Sequence, residues 1–114
     1  EPGSELYGIW EGDTACGLVA LIDMTHPEAD ITEGHDRDGL YVWRLLIGAA
    51  AQGRGLGTAA MRFAIDMAKT RGRAHVAVFC GDEPGSAMAF YERLGFRRTG
   101  AVLGDGEHEL VRYF

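Results

Sequence analysis

The sequence predicts a single α/β domain with a mixed central sheet and two helices, in the order β-β-β-α-β-α-β-β. Three observations predict this class. Short apolar runs rich in strand-forming residues alternate with two segments whose apolar residues recur at helical spacing. Helices that join strands imply at least one parallel strand pair. The chain has 114 residues, of which 46% are hydrophobic, and this suits one globular domain spanning residues 1–114.

The first two strands are predicted to form a hairpin. Residues 6–10 are short and apolar, and residues 16–24 are apolar on both faces of a strand. The turn residues Gly12 and Asp13 lie between them. The polar stretch 25–39 carries five acidic residues and is predicted to be a long surface loop, a kind of segment that is often functional in a small domain.

The middle of the chain is predicted to run from a strand through a glycine-rich loop into a helix. Residues 40–47 (LYVWRLLI) have the composition of a strand. Apolar residues then recur at helical spacing from Leu56 to Met67, and Gly72 ends this helix. Residues 75–80 (HVAVFC) are predicted to be the next strand.

The last third predicts a second helix and a closing hairpin. Ser86 is a suitable N-cap for a helix that runs to Leu94, and Gly95 is its C-terminal glycine. Residues 96–99 and 107–113 are predicted to be two strands joined through a Gly-Asp-Gly turn.

The charge balance limits the partners that we expect. The chain has 17 acidic and 11 basic residues and a formal net charge of −6. A nucleic-acid partner is not expected, because neutralising phosphates requires clustered Lys and Arg. An acidic surface instead attracts a cationic substrate. No apolar run approaches the ~20 residues that cross a bilayer, and no signal-peptide pattern is visible, so no membrane association is expected.

The two cysteines, Cys16 and Cys80, each lie inside an apolar run and are predicted to be buried free thiols. Their wide spacing forms neither a disulfide framework nor a metal-binding pattern, and the histidines have no paired spacing, so no metal site is expected. Free thiols favour a reducing compartment, and the expected location is therefore the cytoplasm.

The loop Gln52-Gly53-Arg54-Gly55-Leu56-Gly57 is the sharpest local pattern in the chain. It joins a strand to a helix, where unpaired amides and the helix dipole favour a phosphate group. A P-loop would need Lys and Ser/Thr after its last glycine, and the dinucleotide fingerprint would need glycine where Thr58 stands. Two interpretations remain: a flexible turn, and a phosphate-binding loop of the form Q-x-x-G-x-G.

This Q-x-x-G-x-G loop resembles the coenzyme A pyrophosphate loop of the GNAT superfamily of N-acetyltransferases. The stretch AMAFYERLGF is similar to the fourth-helix motif of the same family through Ala87, Tyr91, Gly95 and Phe96. The resemblance covers about residues 6–114. It implies a GNAT-type fold in which the cofactor lies where two parallel strands diverge. The W-R-L-x-I run and a late Gly-Glu pair look closest to the diamine and polyamine acetyltransferase branch.

The resemblance also implies roles for particular residues. Tyr91 matches the general acid that protonates the leaving thiolate, and the alternative is a tyrosine of the core. The amide of Leu45 is expected to face the acetyl carbonyl, while Leu46 and Ile47 pair with the pantetheine arm. Acetyl-CoA is the implied co-substrate, and the implied cofactor-binding residues are Leu45, Leu46, Ile47, Gln52, Gly53, Arg54, Gly55, Leu56, Gly57 and Thr58.

Tyr41 and Trp43 are expected to share a face with Leu45, since alternate residues of a strand share a face. The resemblance implies that this face lines the acceptor site. Tyr41 and Trp43 either cradle a cationic amine or belong to the core. Glu33 and His35 of the acidic loop are further candidates for substrate binding.

The general base has several candidates. Glu33, His35 and Asp36 lie in the acidic loop, and Glu11 lies near the first hairpin. His35 has a suitable unperturbed pKa. A solvated loop is the alternative interpretation of this stretch, and a base that acts through ordered water leaves no pattern in the sequence.

Two features depart from the family pattern. Pro84 stands where the helix motif usually has Asn, so a side-chain contact to the cofactor is expected to be missing. Family members also begin with a strand and two helices that form one wall of the acceptor pocket, whereas the hairpin here begins at Leu6. An excised fragment, a wall supplied by another chain and a degenerate domain all fit this difference. The apolar hairpin left without a cover predicts a homodimer.

The leading functional expectation is an acetyl-CoA-dependent N-acetyltransferase that acts on a primary amine of a small cationic molecule. The alternative is a non-catalytic acyl-CoA-binding or interaction module, which the absent N-terminal block motivates. A nucleotide-binding protein is a third possibility, and the lack of the P-loop Lys and Ser/Thr opposes it.

Overall fold

A computed structural model describes residues 3–26 and 38–114. Within these ranges the predicted order of strands and helices is confirmed. The elements are β1 (Ser4–Glu11), β2 (Thr14–Asp23), β3 (Gly39–Ile47), α1 (Leu56–Thr70), β4 (His75–Cys80), α2 (Met88–Arg93), β5 (Arg97–Val102) and β6 (His108–Tyr113), with a short 3₁₀ turn at Ala49–Ala51.

The six strands form one mixed sheet in the order β1-β2-β3-β4-β6-β5. The β3–β4 pair is parallel, and the other neighbouring strands are antiparallel. The parallel pair is short: it begins at Gly39 opposite His75 and ends at Tyr41 opposite Ala77. Beyond this point β3 follows β2 and β4 follows β6, so a gap opens between the two central strands, as the fold class predicts.

Both helices pack on the same face of the sheet. α1 lies against β3 and β4. Its small residues let the helix approach the strands closely, and its buried positions are Ala60, Met61, Ala64, Ile65 and Ala68. The short helix α2 adds Met88 and Tyr91 to this core, and Phe96 closes it directly after the helix. The opposite face of the sheet carries no helix in the part of the chain that the structure describes.

The second helix begins later than the sequence predicts. Ala87, rather than Ser86, occupies the N-cap position, although the Ser86 hydroxyl still accepts the N–H of Met88 at 3.3 Å. The Pro-Gly pair before Ser86 delays the helix, because Gly85 has a φ of +86°. Gly95, with a φ of +91°, ends the helix as predicted.

A β-bulge interrupts β3 in its middle. Leu21 of β2 faces Val42, but its neighbour Ala20 faces Arg44. Trp43 is therefore the extra residue of the bulge and has no partner on β2. A bulge bends its strand and strengthens the local twist, and it lies where β3 turns away from β4.

This bulge inverts the alternation of side chains along β3. Leu45 packs against the core on the helix side, whereas Tyr41 packs against Ile22 and Met24 in a second cluster. The prediction that Tyr41, Trp43 and Leu45 share one face is therefore wrong. The extra residue shifts the period-2 pattern by one, so every side chain after it changes face.

An ion-pair cluster joins the first hairpin to the turn after α1. Arg71 binds both oxygens of Glu5 at 2.7 Å and reaches Asp23 at 3.1 Å. Arg73 also binds Asp23, with its Nη2 at 3.0 Å from the carboxylate. Asp23 is buried at the end of β2, so two guanidinium groups compensate one desolvated charge.

The cysteines agree with the prediction, since Cys16 and Cys80 are buried free thiols. None of the helices described is both long enough and apolar enough to span a bilayer. Within 3–26 and 38–114, no three His, Cys, Asp or Glu side chains come together in a way that could hold a metal ion.

Candidate functional site

A cavity of about 300 Å³ occupies the gap between β3 and β4. β3 contributes Trp43 and Leu45 to its walls, β4 ends there at Cys80, and α2 contributes Tyr91. The carboxyl ends of the two parallel strands thus border one cavity, and this is where open α/β sheets bind their ligands.

Tyr91 is a buried side chain whose hydroxyl opens into this cavity. The residue is 8% exposed, and the rings of Phe90 and Phe96 lie 5.1 and 5.8 Å from its own. Its hydroxyl forms no hydrogen bond with a described residue, yet it is not sealed from the cavity. Burial, and to a smaller extent the charge of Cys80, raises the pKa of Tyr91 to about 12. The phenol therefore stays protonated throughout the neutral range, as a proton donor must.

The edge of β3 that borders the gap is open. After Tyr41 the strand pairs with β2 and has no partner on its other side among the residues described. Unpaired main-chain groups on such an edge bind an extended ligand as an added strand would. Leu45, Leu46 and Ile47 lie on this part of β3, so the structure brings the three predicted positions to the gap.

The glycine-rich loop continues from this edge. Gln52 holds it in place, because its side-chain amide donates to the carbonyl of Ile47 at 3.1 Å. Gly53 and Gly55 have φ values of +81° and +77°, and a Cβ at either position would meet nothing within 4 Å. Both therefore adopt a conformation that favours glycine, with free space beside the backbone.

The start of α1 has main-chain amides that no side chain caps, and it borders this free space. Gly55 is the N-cap residue, and no side chain caps the helix. A second cavity of about 300 Å³ borders Gly55, Gly57, Thr58 and the ring of Phe90. Uncapped amides at the positive end of a helix dipole suit a phosphate group. The predicted residues from Gln52 to Thr58 thus form a structure that fits a pyrophosphate.

Arg54 and Glu11 form an ion pair on the outer side of the loop. Nη1 of Arg54 lies 2.7 Å from Oε1 of Glu11, and both side chains are exposed. An exposed pair contributes only about 0–1 kcal/mol, so Arg54 is available to a phosphate. Glu11 borders a different cavity from Tyr91, and the structure does not bring this candidate base to the gap.

The predicted acceptor residues differ in their position relative to the cavity. Trp43 is 45% exposed and lines the cavity, and the Arg44 guanidinium lies 5.9 Å from its ring centroid. Tyr41 does not line it, but its ring contacts Phe79, which does, at a centroid distance of 5.6 Å. The positions Glu33, His35 and Asp36 lie outside the described residues.

Two carboxylates that the sequence did not single out as functional line the same cavity: Glu83, after β4, and Glu107, before β6. Burial raises the pKa of Glu107, and the charge and hydrogen bond of Asp105 and the charge of Glu83 act in the same direction. Glu107 stood out in the sequence only as part of a Gly-Glu pair. Its spacing from Glu83 follows no motif, because the β4–β6 pairing brings the two residues together.

Comparison with known proteins identifies the family of this chain. The model of the acetyltransferase (GNAT) family matches residues 1–96. Mycothiol acetyltransferase of Gordonia bronchialis is 31% identical over 97 residues, which cover 82% of this chain and 32% of that protein. A Methanocaldococcus jannaschii protein named uncharacterized N-acetyltransferase MJ1207 is 47% identical over 53 residues, 46% of this chain and 24% of that one. The chain thus spans well under half of the length of these relatives.

Solved structures share the fold. An acetyltransferase of Bacillus subtilis in complex with CoA has a TM-score of 0.76 at 18% identity, over 98% of this chain and 78% of that one. The PaiA N-acetyltransferase of Thermoplasma acidophilum in complex with coenzyme A has a TM-score of 0.75 at 13% identity, over 98% of this chain and 62% of that one. With the family model matching most of its length, the chain belongs to the acetyltransferase (GNAT) family.

Proposed function

We propose that this protein transfers the acetyl group of acetyl-CoA to the primary amine of a small cationic molecule. One observation carries the proposal. A single cavity between β3 and β4 brings together the Tyr91 hydroxyl, the open edge of β3 at Leu45, and the carboxylates of Glu83 and Glu107. A proton donor, an exposed main-chain edge and an anionic wall are the groups that acyl transfer to an amine needs.

The proposed cofactor site runs along β3 into the glycine-rich loop. The amides around Gly53, Gly55 and Gly57 hold the pyrophosphate, because the loop leaves free space beside Gly53 and Gly55, where a side chain would otherwise stand. Leu46 and Ile47 pair with the pantetheine arm through the open strand edge. The main chain of Leu45 then lies beside the thioester carbonyl, where an N–H donor stabilises negative charge on oxygen.

In the proposed reaction Tyr91 gives its proton to the sulfur as the carbon–sulfur bond breaks. The pKa of about 12 for Tyr91 lies above that of a thiol, which is near ~8.5 in water. Burial in the same cavity also raises the pKa of the CoA thiol, because burial disfavours its thiolate anion. The pKa values of Tyr91 and the thiol are therefore closer together in the cavity than in water.

The acidic walls of the cavity support a cationic acceptor. Glu83 and Glu107 attract an ammonium group, and the exposed ring of Trp43 offers a cation–π contact of about 0.5–2 kcal/mol. Tyr41 contributes indirectly, because its ring packs against Phe79, which lines the cavity. Glu33 and His35 belong to the proposal as acceptor contacts from the acidic loop. Within the family, a diamine or polyamine is the acceptor that this charge favours most.

The proposal extends to the assembly and location of the protein. Exposed apolar residues on the first hairpin support a homodimer, and the two free buried thiols support a cytoplasmic location. In this proposal residues 1–114 act as one acetyltransferase domain.

The test is an assay of acetyl-CoA with two amines, 1,5-diaminopentane and benzylamine, read by release of free thiol and by the mass of the product. We expect acetylation of both amines and a higher kcat/KM for the diamine. CoA binding without acetylation of either amine would instead support the acyl-CoA-binding module. Competition between ATP and CoA would support a nucleotide-binding protein.

A further inference from the structure

We propose that Glu107 is the proton acceptor for the attacking amine and acts from the opposite side of the sheet gap to Tyr91. The inference rests on the acetyl transfer proposed above and assigns the base of that reaction to the turn before β6. Of the candidates for the base that the sequence predicted, Glu11 is the one that lies within the described ranges, and it is beside the glycine-rich loop instead.

The pairing of β4 and β6 defines the face from which Glu107 approaches. Phe79 of β4 lies on the face without helices, where its ring contacts Tyr41. Glu107 directly precedes β6, and its charge acts on Tyr41, which packs in the cluster on this helix-free face. Tyr91 belongs to the helix-side core. The donor and the proposed acceptor therefore border the cavity from its two sides.

The site is more than a group of acidic residues. A buried tyrosine hydroxyl normally has a hydrogen-bond partner. Tyr91 is 8% exposed and has none among the described residues, and its hydroxyl borders the cavity that Glu83 and Glu107 also line. A tyrosine in the core whose hydroxyl has no partner in the described ranges and reaches a carboxylate-lined cavity indicates that a ligand completes this site.

The surroundings of Glu107 favour a base. The titratable and charged groups around it are Tyr41 and Arg44 of β3, Cys80 of β4, Glu83 of the next loop, Tyr91 of α2 and Asp105 of the β5–β6 turn. Asp82 engages the adjacent His108 at 3.1 Å. Burial and the neighbouring carboxylates raise the pKa of Glu107, which brings it closer to neutral pH, where a general base is most effective.

The proton balance of the step is simple. The attacking amine reacts in its neutral form: its nitrogen bonds to the thioester carbon and loses a proton to the Glu107 carboxylate. The carbon–sulfur bond breaks, and the sulfur takes the Tyr91 proton. Transfer of a proton from Glu107 to the Tyr91 phenolate through water then restores both groups, so the net movement is one proton from nitrogen to sulfur.

Glu107→Gln is the first test, because it keeps the shape of the side chain and removes its basicity. With acetyl-CoA and 1,5-diaminopentane, we expect kcat/KM to fall by about 10²- to 10⁴-fold, with CoA affinity unchanged. Asp66→Asn is the matched control, since it removes one carboxylate from the exposed side of α1, and its kcat/KM should equal that of wild type.

The second test is the pH dependence of kcat/KM. In the wild type the rate rises as the pH increases through the pKa of Glu107, because the base must be ionised. Asp105→Asn removes a neighbouring negative charge, so it lowers this pKa and moves the acidic limb to lower pH. Glu107→Gln should abolish the part of the limb that titrates with Glu107 and keep the rise that follows deprotonation of the amine. If Glu107 had only a structural role, Glu107→Gln would retain the acidic limb and Asp105→Asn would not move it.

The outcomes separate this inference from the proposed function. Either of two results would overturn the base assignment and leave acetyl transfer intact. In the first, Glu107→Gln keeps the turnover rate of the wild type. In the second, Glu83→Gln abolishes the acidic limb while Glu107→Gln retains it. CoA binding without thiol release from either amine by the wild type would overturn the proposed function, and the base assignment with it.

Discussion

In the proposed reaction Tyr91 combines packing and chemistry in one side chain. Its ring packs between Phe90 and Phe96, so the hydroxyl has a defined position in the cavity without a hydrogen bond from any described residue. A proton donor must be in place before the reaction begins, and ring packing achieves this at no cost to the hydrogen-bonding capacity of the hydroxyl.

Tyr91→Phe should therefore separate the two roles. The ring contacts remain, so stability and CoA affinity should stay at wild-type values. Loss of the proton donor should reduce the rate of acetyl transfer by about 10²- to 10⁴-fold, which single-turnover assays measure directly. An unchanged single-turnover rate would leave Tyr91 as a core tyrosine.

Two glycines at the ends of α1 offer a controlled test of the pyrophosphate site. Gly55 before the helix and Gly72 after it have φ values of +77° and +71°, and an added Cβ would meet nothing within 4 Å at either position. Alanine at each site should thus cost a similar amount of stability, about 1 kcal/mol, from left-handed strain.

Only Gly55→Ala should weaken CoA binding. Its methyl group occupies the space where we place the pyrophosphate, whereas that of Gly72→Ala lies at the far end of the helix. Isothermal calorimetry with CoA distinguishes the two variants, and urea unfolding checks that their stabilities match. Equal CoA affinities in both variants would show that the pyrophosphate does not bind at this loop.

At the scale of elements, the Asp23 cluster fastens the first hairpin to the α1–β4 turn. Burial raises the pKa of Asp23, but hydrogen bonds from Arg73 and Thr25 outweigh this effect and hold the pKa at about 2. Because the folded-state pKa lies below the ordinary value of 3.8, ionised Asp23 stabilises the fold at higher pH.

The cluster predicts an acid-sensitive stability. The contribution of Asp23, roughly 2 kcal/mol, should be present above about pH 4 and decline as the pH falls toward 2. Asp23→Asn should lower the free energy of unfolding at neutral pH by at least this amount, because it leaves Arg71 and Arg73 without their buried partner. Urea unfolding at several pH values measures both effects. A variant whose stability declines between pH 4 and 2 as steeply as that of wild type would contradict the assignment.

At the scale of the whole molecule, the first hairpin leaves large apolar side chains exposed. β1 is an edge strand, and on it Leu6 and Trp10 are 68% and 62% exposed, while Tyr7 and Ile9 between them pack toward the helix side. Leu46 of β3 is also exposed. An edge strand with large apolar side chains is a surface that other chains tend to cover.

We therefore expect a dimer that buries β1. Leu6→Lys combined with Trp10→Lys should convert it to a monomer, as sedimentation velocity at micromolar concentration would show. Val102→Lys is the matched control, because it changes an exposed apolar residue on β5, the strand at the other edge of the sheet. A wild-type monomer with full acetyltransferase activity would contradict this prediction.

The local features of this protein were predictable from its sequence. The strand and helix order, the position of the glycine-rich loop and the place of Tyr91 on α2 depend on neighbouring residues. Apolar periodicity selects a helix or a strand, and glycine alone readily supplies the positive φ that the loop needs at Gly53 and Gly55. Each of these signals acts within a few residues, so the sequence contains it directly.

The arrangement of the proposed acceptor site was decided by the tertiary structure. The bulge at Trp43 arises from the register between β2 and β3, and it places Tyr41 and Leu45 on opposite faces. Glu83 and Glu107 meet at one cavity because β6 pairs with β4. Strand register depends on how segments distant in the chain pack together, and a shift of one residue exchanges the two faces of a strand. No local pattern carries that information, so the sequence alone indicated the proposed cofactor loop and the proposed acid, and the fold placed Glu83 and Glu107 at the cavity where we propose that the amine binds.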